Sequence, residues 1–180
     1  MDTRTAAEWL NPVKAGGIAS YVVASVSCAV TAVRAASLRL SRLAATLGLI
    51  QTALLLDIAF DWRWKLYGRL KELAVARHWY EDRHWPQVIA LAVLGLALGL
   101  AAVAASRRFR MLPGAVWAIA GTLLSVGCWT AEVISLHATD AVLYHPAGRI
   151  MVISYLWGLA CVVTSYGILK AEAKVRRLDL

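Results

Sequence analysis

The sequence predicts an all-α integral membrane protein: a bundle of five transmembrane helices, with one interfacial amphipathic helix between spans 2 and 3. Two observations predict it. The 180 residues are 60% hydrophobic, well above a soluble domain, with a mean hydropathy of +0.61. Five stretches lack Lys, Arg, Asp and Glu: Ala15–Val33, Leu43–Leu56, Trp85–Ser106, Met111–Ala131 and Ile150–Leu169. A spanning helix needs about 20 residues at 1.5 Å rise. Four stretches meet that length, and the second reaches it only by taking in Asp57. With these limits the spans fall at about 15–33, 43–60, 86–106, 112–135 and 150–169, in one polytopic membrane domain.

Span 1 follows Arg4 and Lys14 directly, with no short apolar core ahead of a small-residue cleavage site, so it is expected to be retained. Ser20, Ala24, Cys28 and Ala32 recur along it at four-residue intervals, a spacing that lets helix backbones approach closely in lipid. Span 2 ends in the pair Asp57 and Asp61, four apart and so on one helical face. The connection from Trp62 to Trp85 is the most distinctive sequence in the chain. Trp62, Leu66, Leu70, Leu73 and Arg77 follow helical spacing over about 62–77, widened by Tyr67 and Ala74. Such a helix, rich in Trp and basic residues, lies in the headgroup plane. Trp62, Arg63, Trp64, Trp79 and Trp85 are its expected lipid contacts.

Span 3 opens on Pro86, whose missing N–H costs nothing at a helix start, and contains a literal GxxxG, Gly95 to Gly99. Span 4 repeats the small-residue spacing with Gly121 and Ser125 and carries Glu132 near its end. Gln51, Thr52, Thr122 and Ser125 are the main mid-span polar groups, expected to bond within their own helices. Without a run of polar residues, a broken helix pair or an inverted repeat, transport by a single copy is not indicated. Cys28, Cys128 and Cys161 are each isolated in an apolar span and are read as structural thiols.

Five spans put the termini on opposite sides. One side then carries ten basic residues against Glu172 and Asp179, and the other nine basic residues against nine acidic ones. Short, almost purely basic loops read as cytoplasmic. The N-terminus is therefore expected to be periplasmic and the C-terminus cytoplasmic, in a bacterial inner membrane as the Ala-, Arg- and Leu-heavy composition suggests. The basic excess is assigned to topology and anionic lipid, not to nucleic acid, because no nucleic-acid module is present.

His78, His84, His137 and His145 all fall in two connections on the acidic side. The candidate polar site there comprises Asp57, Asp61, Glu132, His137, Asp140 and His145. Asp57 and Glu132 lead it, because a carboxylate at the edge of hydrocarbon is costly; the alternative is that both sit at the interface and bond to Arg63, Arg149 or loop backbone. Imidazole and carboxylate together suit a transition metal (Zn, Fe, Mn or Cu), with His78, His84, His137, Asp140 and His145 as ligand candidates. No local spacing matches a metal motif, so no cofactor is assured. Ser135, Ser154 and Thr164 lack a clear base, no phosphate-binding Gly-rich loop leads into a helix, and no histidine lies near a span centre to hold haem. The first expectation is a non-catalytic accessory or assembly subunit, bound to membrane lipid and to a membrane-protein partner or a second copy. The alternatives are a metal-binding membrane enzyme or metal handler, and a lipid-binding or lipid-modifying protein.

Overall fold

Backbone groups in a bilayer have no water to bond, so an apolar stretch must close its hydrogen bonds internally, as a helix does. A computed structural model of the chain describes residues 12–78, 84–148 and 150–178. Among these residues the elements are α1 (Pro12–Arg34), α2 (Leu38–Phe60), α3 (Trp62–Ala76), α4 (His84–Arg108), α5 (Pro113–Ile134), α6 (His137–Leu143) and α7 (Val152–Leu178). Between α6 and α7, β1 (Pro146–Ala147) and β2 (Ile150–Met151) form a short antiparallel pair. Helices α1, α2, α4, α5 and α7 are long and apolar enough to cross a membrane. The chain is an all-α, multi-pass membrane protein.

The ends of the helices follow local chemistry. Asp61 stops α2 in the left-handed region, φ 57°, and its N–H bonds back to the Asp57 carbonyl. Ser135 ends α5 in the same way, with its N–H on the Ala131 carbonyl. Asp tolerates that conformation better than most residues. Helix α7 starts two residues later than the charge-free stretch, because Ile150 and Met151 pair with β1, and continues past Lys170 to Leu178. Glu172 on that extension accepts from Thr31 of α1 at 3.3 Å and pairs with Arg176 at 2.6 Å.

Helices α1, α2, α5 and α7 make the core. Apolar side chains gain little by leaving lipid for protein, so close packing of backbones decides which helices meet. The tightest seam joins α5 to α7. A Cβ on Gly114 would come within 2.5 Å of the Ala171 nitrogen, and one on Gly121 within 2.6 Å of the Ala160 carbonyl oxygen. Gly167 meets Ala118 just as closely. On α1 the buried stripe is Gly17, Tyr21, Ala24, Cys28 and Thr31. Of the four small residues expected there, Ala24 and Cys28 are buried while Ser20 and Ala32 are only half-buried.

Two apolar clusters lie on either side of a polar layer. One contains Leu40, Ala44, Leu47 and Phe109, the other Tyr21, Leu54, Ile58 and Trp157. Between them Gln51 of α2 donates to Thr122 of α5 at 3.1 Å and to Thr164 of α7 at 3.4 Å. This differs from the expectation that Gln51 bonds within its own helix. Its amide reaches two neighbouring helices, whose threonines are already anchored to their own Ala118 and Ala160 carbonyls.

Helix α4 stands outside this core. Gln87, Val88, Leu91, Leu94, Leu98 and Ala105 turn inward, and Ala105 alone among its described residues is fully buried. Gln87 donates to the Ile134 and Ser135 carbonyls, fastening α4 to the end of α5. The other face is open, and nothing lies within 4 Å of a Cβ built on Gly95 or Gly99.

Candidate functional site

The break at Asp61 turns the chain sharply from α2 into α3, and this places Arg63 inside the bundle. Arg63, Tyr67 and Ala74 recur at helical spacing, and they are the residues of α3 that turn inward, with Arg63 and Ala74 fully buried. Trp62, Leu66, Leu70 and Leu73 are exposed, each between 42% and 49%. That leaves an apolar stripe of α3 open on the outside, as a helix against lipid requires. Arg63, expected among the lipid contacts, is instead 6% exposed. The reason is charge: Asp57 and Glu132 wait on the inner side, at 4% exposure each, and a buried carboxylate needs a partner.

Arg63 answers both carboxylates. Its backbone N–H donates to Asp57 Oδ1 at 2.8 Å, and its Nε lies 3.5 Å from Asp57 Oδ2. Its Nη1 donates to Glu132 Oε2. The guanidinium carbon stands 4.9 Å from the centroid of a Trp157 ring, within cation–π range. Glu132 Oε1 accepts from the Tyr144 hydroxyl at 2.9 Å. Burial, and after it the negative charge of Glu132, push the Tyr144 phenol well above its ordinary pKa, so it remains a donor. One arginine thus gathers the ends of α2, α3, α5, α6 and α7.

Beside it a cavity of about 570 Å³ opens, walled by Lys14, Asp61, Arg63, Trp64, Glu132, Tyr144 and Trp157, with Val13 and Met151. Lys14 reaches from α1 to Asp61 Oδ2 at 2.6 Å. Asp61 is half-exposed and binds Lys14, whereas Asp57 is buried against Arg63, so the two expected aspartates have different partners. Asp140 is half-buried and accepts from Ser135 Oγ at 2.6 Å. His78, His84, His137 and His145 are all exposed, and His84 lies edge-on to Trp85. Among the described residues, no three His, Cys, Asp or Glu side chains are grouped so as to hold a metal ion. The anticipated ligands His78, His84, His137, Asp140 and His145 therefore do not form a cluster. Trp79 lies outside the described residues.

Lys14, Tyr144 and Trp157 are the members that sequence reasoning missed, whereas Arg63 was weighed both as a lipid contact and as a partner of Asp57 and Glu132. A signal for Arg63 did exist: of the basic residues in its connection it is the first, two positions after Asp61 and six after Asp57. Nothing in spacing announced Lys14, Tyr144 or Trp157, which arrive from distant parts of the chain.

Fold and site together define a five-span helical membrane protein with an arginine-centred charged cavity at one end of its bundle. No protein-family model, curated protein or solved structure matches the chain.

Removing the centre of a buried ion cluster leaves charges unpaired, which costs about 3–5 kcal/mol. Arg63→Met should therefore lower stability by that order, measured as unfolding in mild detergent. Tyr144→Phe should cost about 1.5–3 kcal/mol for a hydrogen bond to a charged group. Asp61→Asn, in a partly exposed pair, should cost no more than about 1 kcal/mol. An Arg63→Met protein as stable as Asp61→Asn would rule out the clamp.

Proposed function

We propose that this chain is a non-catalytic accessory subunit of a membrane assembly, docking to a neighbouring membrane helix through the outer face of α4. One observation carries the reading: α4 packs on the bundle along a single face, while Gly95 and Gly99 stand open on the other. A bare GxxxG lets a second backbone approach closely in lipid. The engaged state of Asp57, Glu132 and Arg63 supports it as well, because groups so paired serve as a clamp. The test replaces Gly95 and Gly99 together by Ile, which the open space accommodates. Wild-type chain should co-migrate stoichiometrically with a partner in mild detergent. The double variant should lose that partner, and Ala45→Ile, on the exposed side of α2, should keep it. Wild type migrating alone, or a partner indifferent to the α4 changes, refutes the reading.

The same reading takes the membrane to be a bacterial inner membrane, with the N-terminus periplasmic and the C-terminus cytoplasmic. It is supported by the short connections 34–42 and 107–110, whose charged residues are all arginine. His145→Cys, in a chain whose three native cysteines are replaced by Ala, should react with an impermeant maleimide added to intact spheroplasts. Labelling only after lysis reverses the orientation.

A second reading rests on the cavity, whose lining combines Lys14, Asp61 and the exposed ring of Trp64. That combination suits a zwitterionic headgroup, with phosphate toward Lys14 and ammonium toward Asp61 and the Trp64 face. Purified protein should retain phosphatidylethanolamine and lose most of it in Trp64→Ala. Equal retention by both proteins removes this reading.

A further inference from the structure

At the opposite end of the bundle a second cavity, of about 410 Å³, lies between the start of α2 and the end of α4. Arg39 and Arg42 of α2 and Arg108 of α4 line it, with Leu38, Leu43 and Phe109 as apolar wall. Three guanidinium groups around one space repel one another. Among the described residues no carboxylate comes within ion-pair distance of any of them.

The backbone adds to the positive charge. Helix α2 begins at Leu38 with no acidic residue in its first turn, and Ser37 makes no capping side-chain bond. Its free N–H groups and macrodipole thus point positive, where Arg39 and Arg42 raise the potential further. An anion with several oxygens would satisfy all of these groups, and phosphate matches the guanidinium fork.

The surface below the arginines indicates which phosphate. Leu38, Arg42, Ala45, Leu49, Thr52 and Leu56 form one exposed stripe at helical spacing down α2. Leu49 is 73% exposed. A soluble phosphate would leave that stripe unused, whereas an acyl chain would follow it into the hydrocarbon. We propose that Arg39, Arg42 and Arg108 bind the phosphate of an anionic phospholipid, whose acyl chains run along Leu49 and Leu56. Basic pockets between membrane helices take anionic headgroups in this way. The site is separate from the Arg63 cavity and does not rest on the accessory-subunit reading.

The test is lipid retention by the full-length protein in mixed micelles of phosphatidylglycerol and phosphatidylcholine, followed by a delipidating wash and mass spectrometry. Wild type should retain phosphatidylglycerol selectively. Each of Arg39→Gln, Arg42→Gln and Arg108→Gln should weaken retention about fivefold. The control triple Arg34→Gln, Arg107→Gln and Arg177→Gln removes equal charge from the same end and should change retention less than about twofold. All these side chains are exposed, and circular dichroism with elution volume checks the fold. Equal losses in the control triple and in a pocket triple that combines Arg39→Gln, Arg42→Gln and Arg108→Gln would reduce the effect to diffuse surface charge and overturn the site. No selectivity in wild type would overturn the site. Displacement by a large excess of inorganic phosphate would reassign it to a soluble anion and overturn the lipid proposal.

Discussion

The pairing of Arg63 with Asp57 and Glu132 is the constraint around which one end of the molecule is arranged. Two carboxylates buried at 4% exposure would be intolerable alone in an apolar surround. Bringing a guanidinium to them requires α3 to start immediately after α2 and to turn back over the bundle. The left-handed Asp61 supplies that turn. Once Arg63 is inside, Trp157 covers it from α7 and Tyr144 reaches Glu132 from the end of α6. The orientation of α3 goes with it: Arg63 and Ala74 are buried, while Trp62, Leu66, Leu70 and Leu73 are exposed.

Elsewhere the bundle relies on contact instead of charge. The α5–α7 seam uses glycines where two backbones meet, at Gly114, Gly121 and Gly167. Gln51 then fixes how far α2 may slide against that pair, since it reaches both Thr122 and Thr164. A shift of one helical turn, about 5.4 Å, would carry its amide away from Thr122 and Thr164 and into an apolar cluster. The polar layer sets register and the small residues set distance. The two devices meet where Gly121 abuts Thr164, whose hydroxyl accepts from Gln51.

The legible part of the molecule was the part governed by local composition. Long runs without charge disclosed the spans, Pro86 and Pro113 fall at helix starts, and Asp57 and Glu132 stood out because charge is expensive there. Arg63 carried a visible signal, since it follows Asp61 by two residues, but its helical face decided its role and loop composition hid that face. Lys14 and Asp61 are 47 residues apart, Arg63 and Glu132 are 69 apart, and no spacing rule covers such distances. The histidines misled for a related reason. Sequence could place His78, His84, His137 and His145 at one end of the bundle, but sharing an end is weaker than converging on a point. The outward direction of the Gly95–Gly99 face was likewise a matter of which neighbours exist, which the motif does not encode.

The single-sided attachment of α4 bears on how the chain enters its membrane. Synthesis proceeds from the N-terminus, so α4 emerges before α5, the helix on which it packs. It must therefore partition into lipid on its own merit, with no partner to shield a polar group. Its composition agrees: of the five spans it is the most hydropathic and the least buried. Helix α5 follows with the lowest hydropathy of the five, carrying Thr122, Ser125 and Glu132, and it can afford these because α2 and Arg63 have already been made. The order of the spans along the chain thus lets Thr122 and Glu132 arrive after Gln51 and Arg63, the residues they meet.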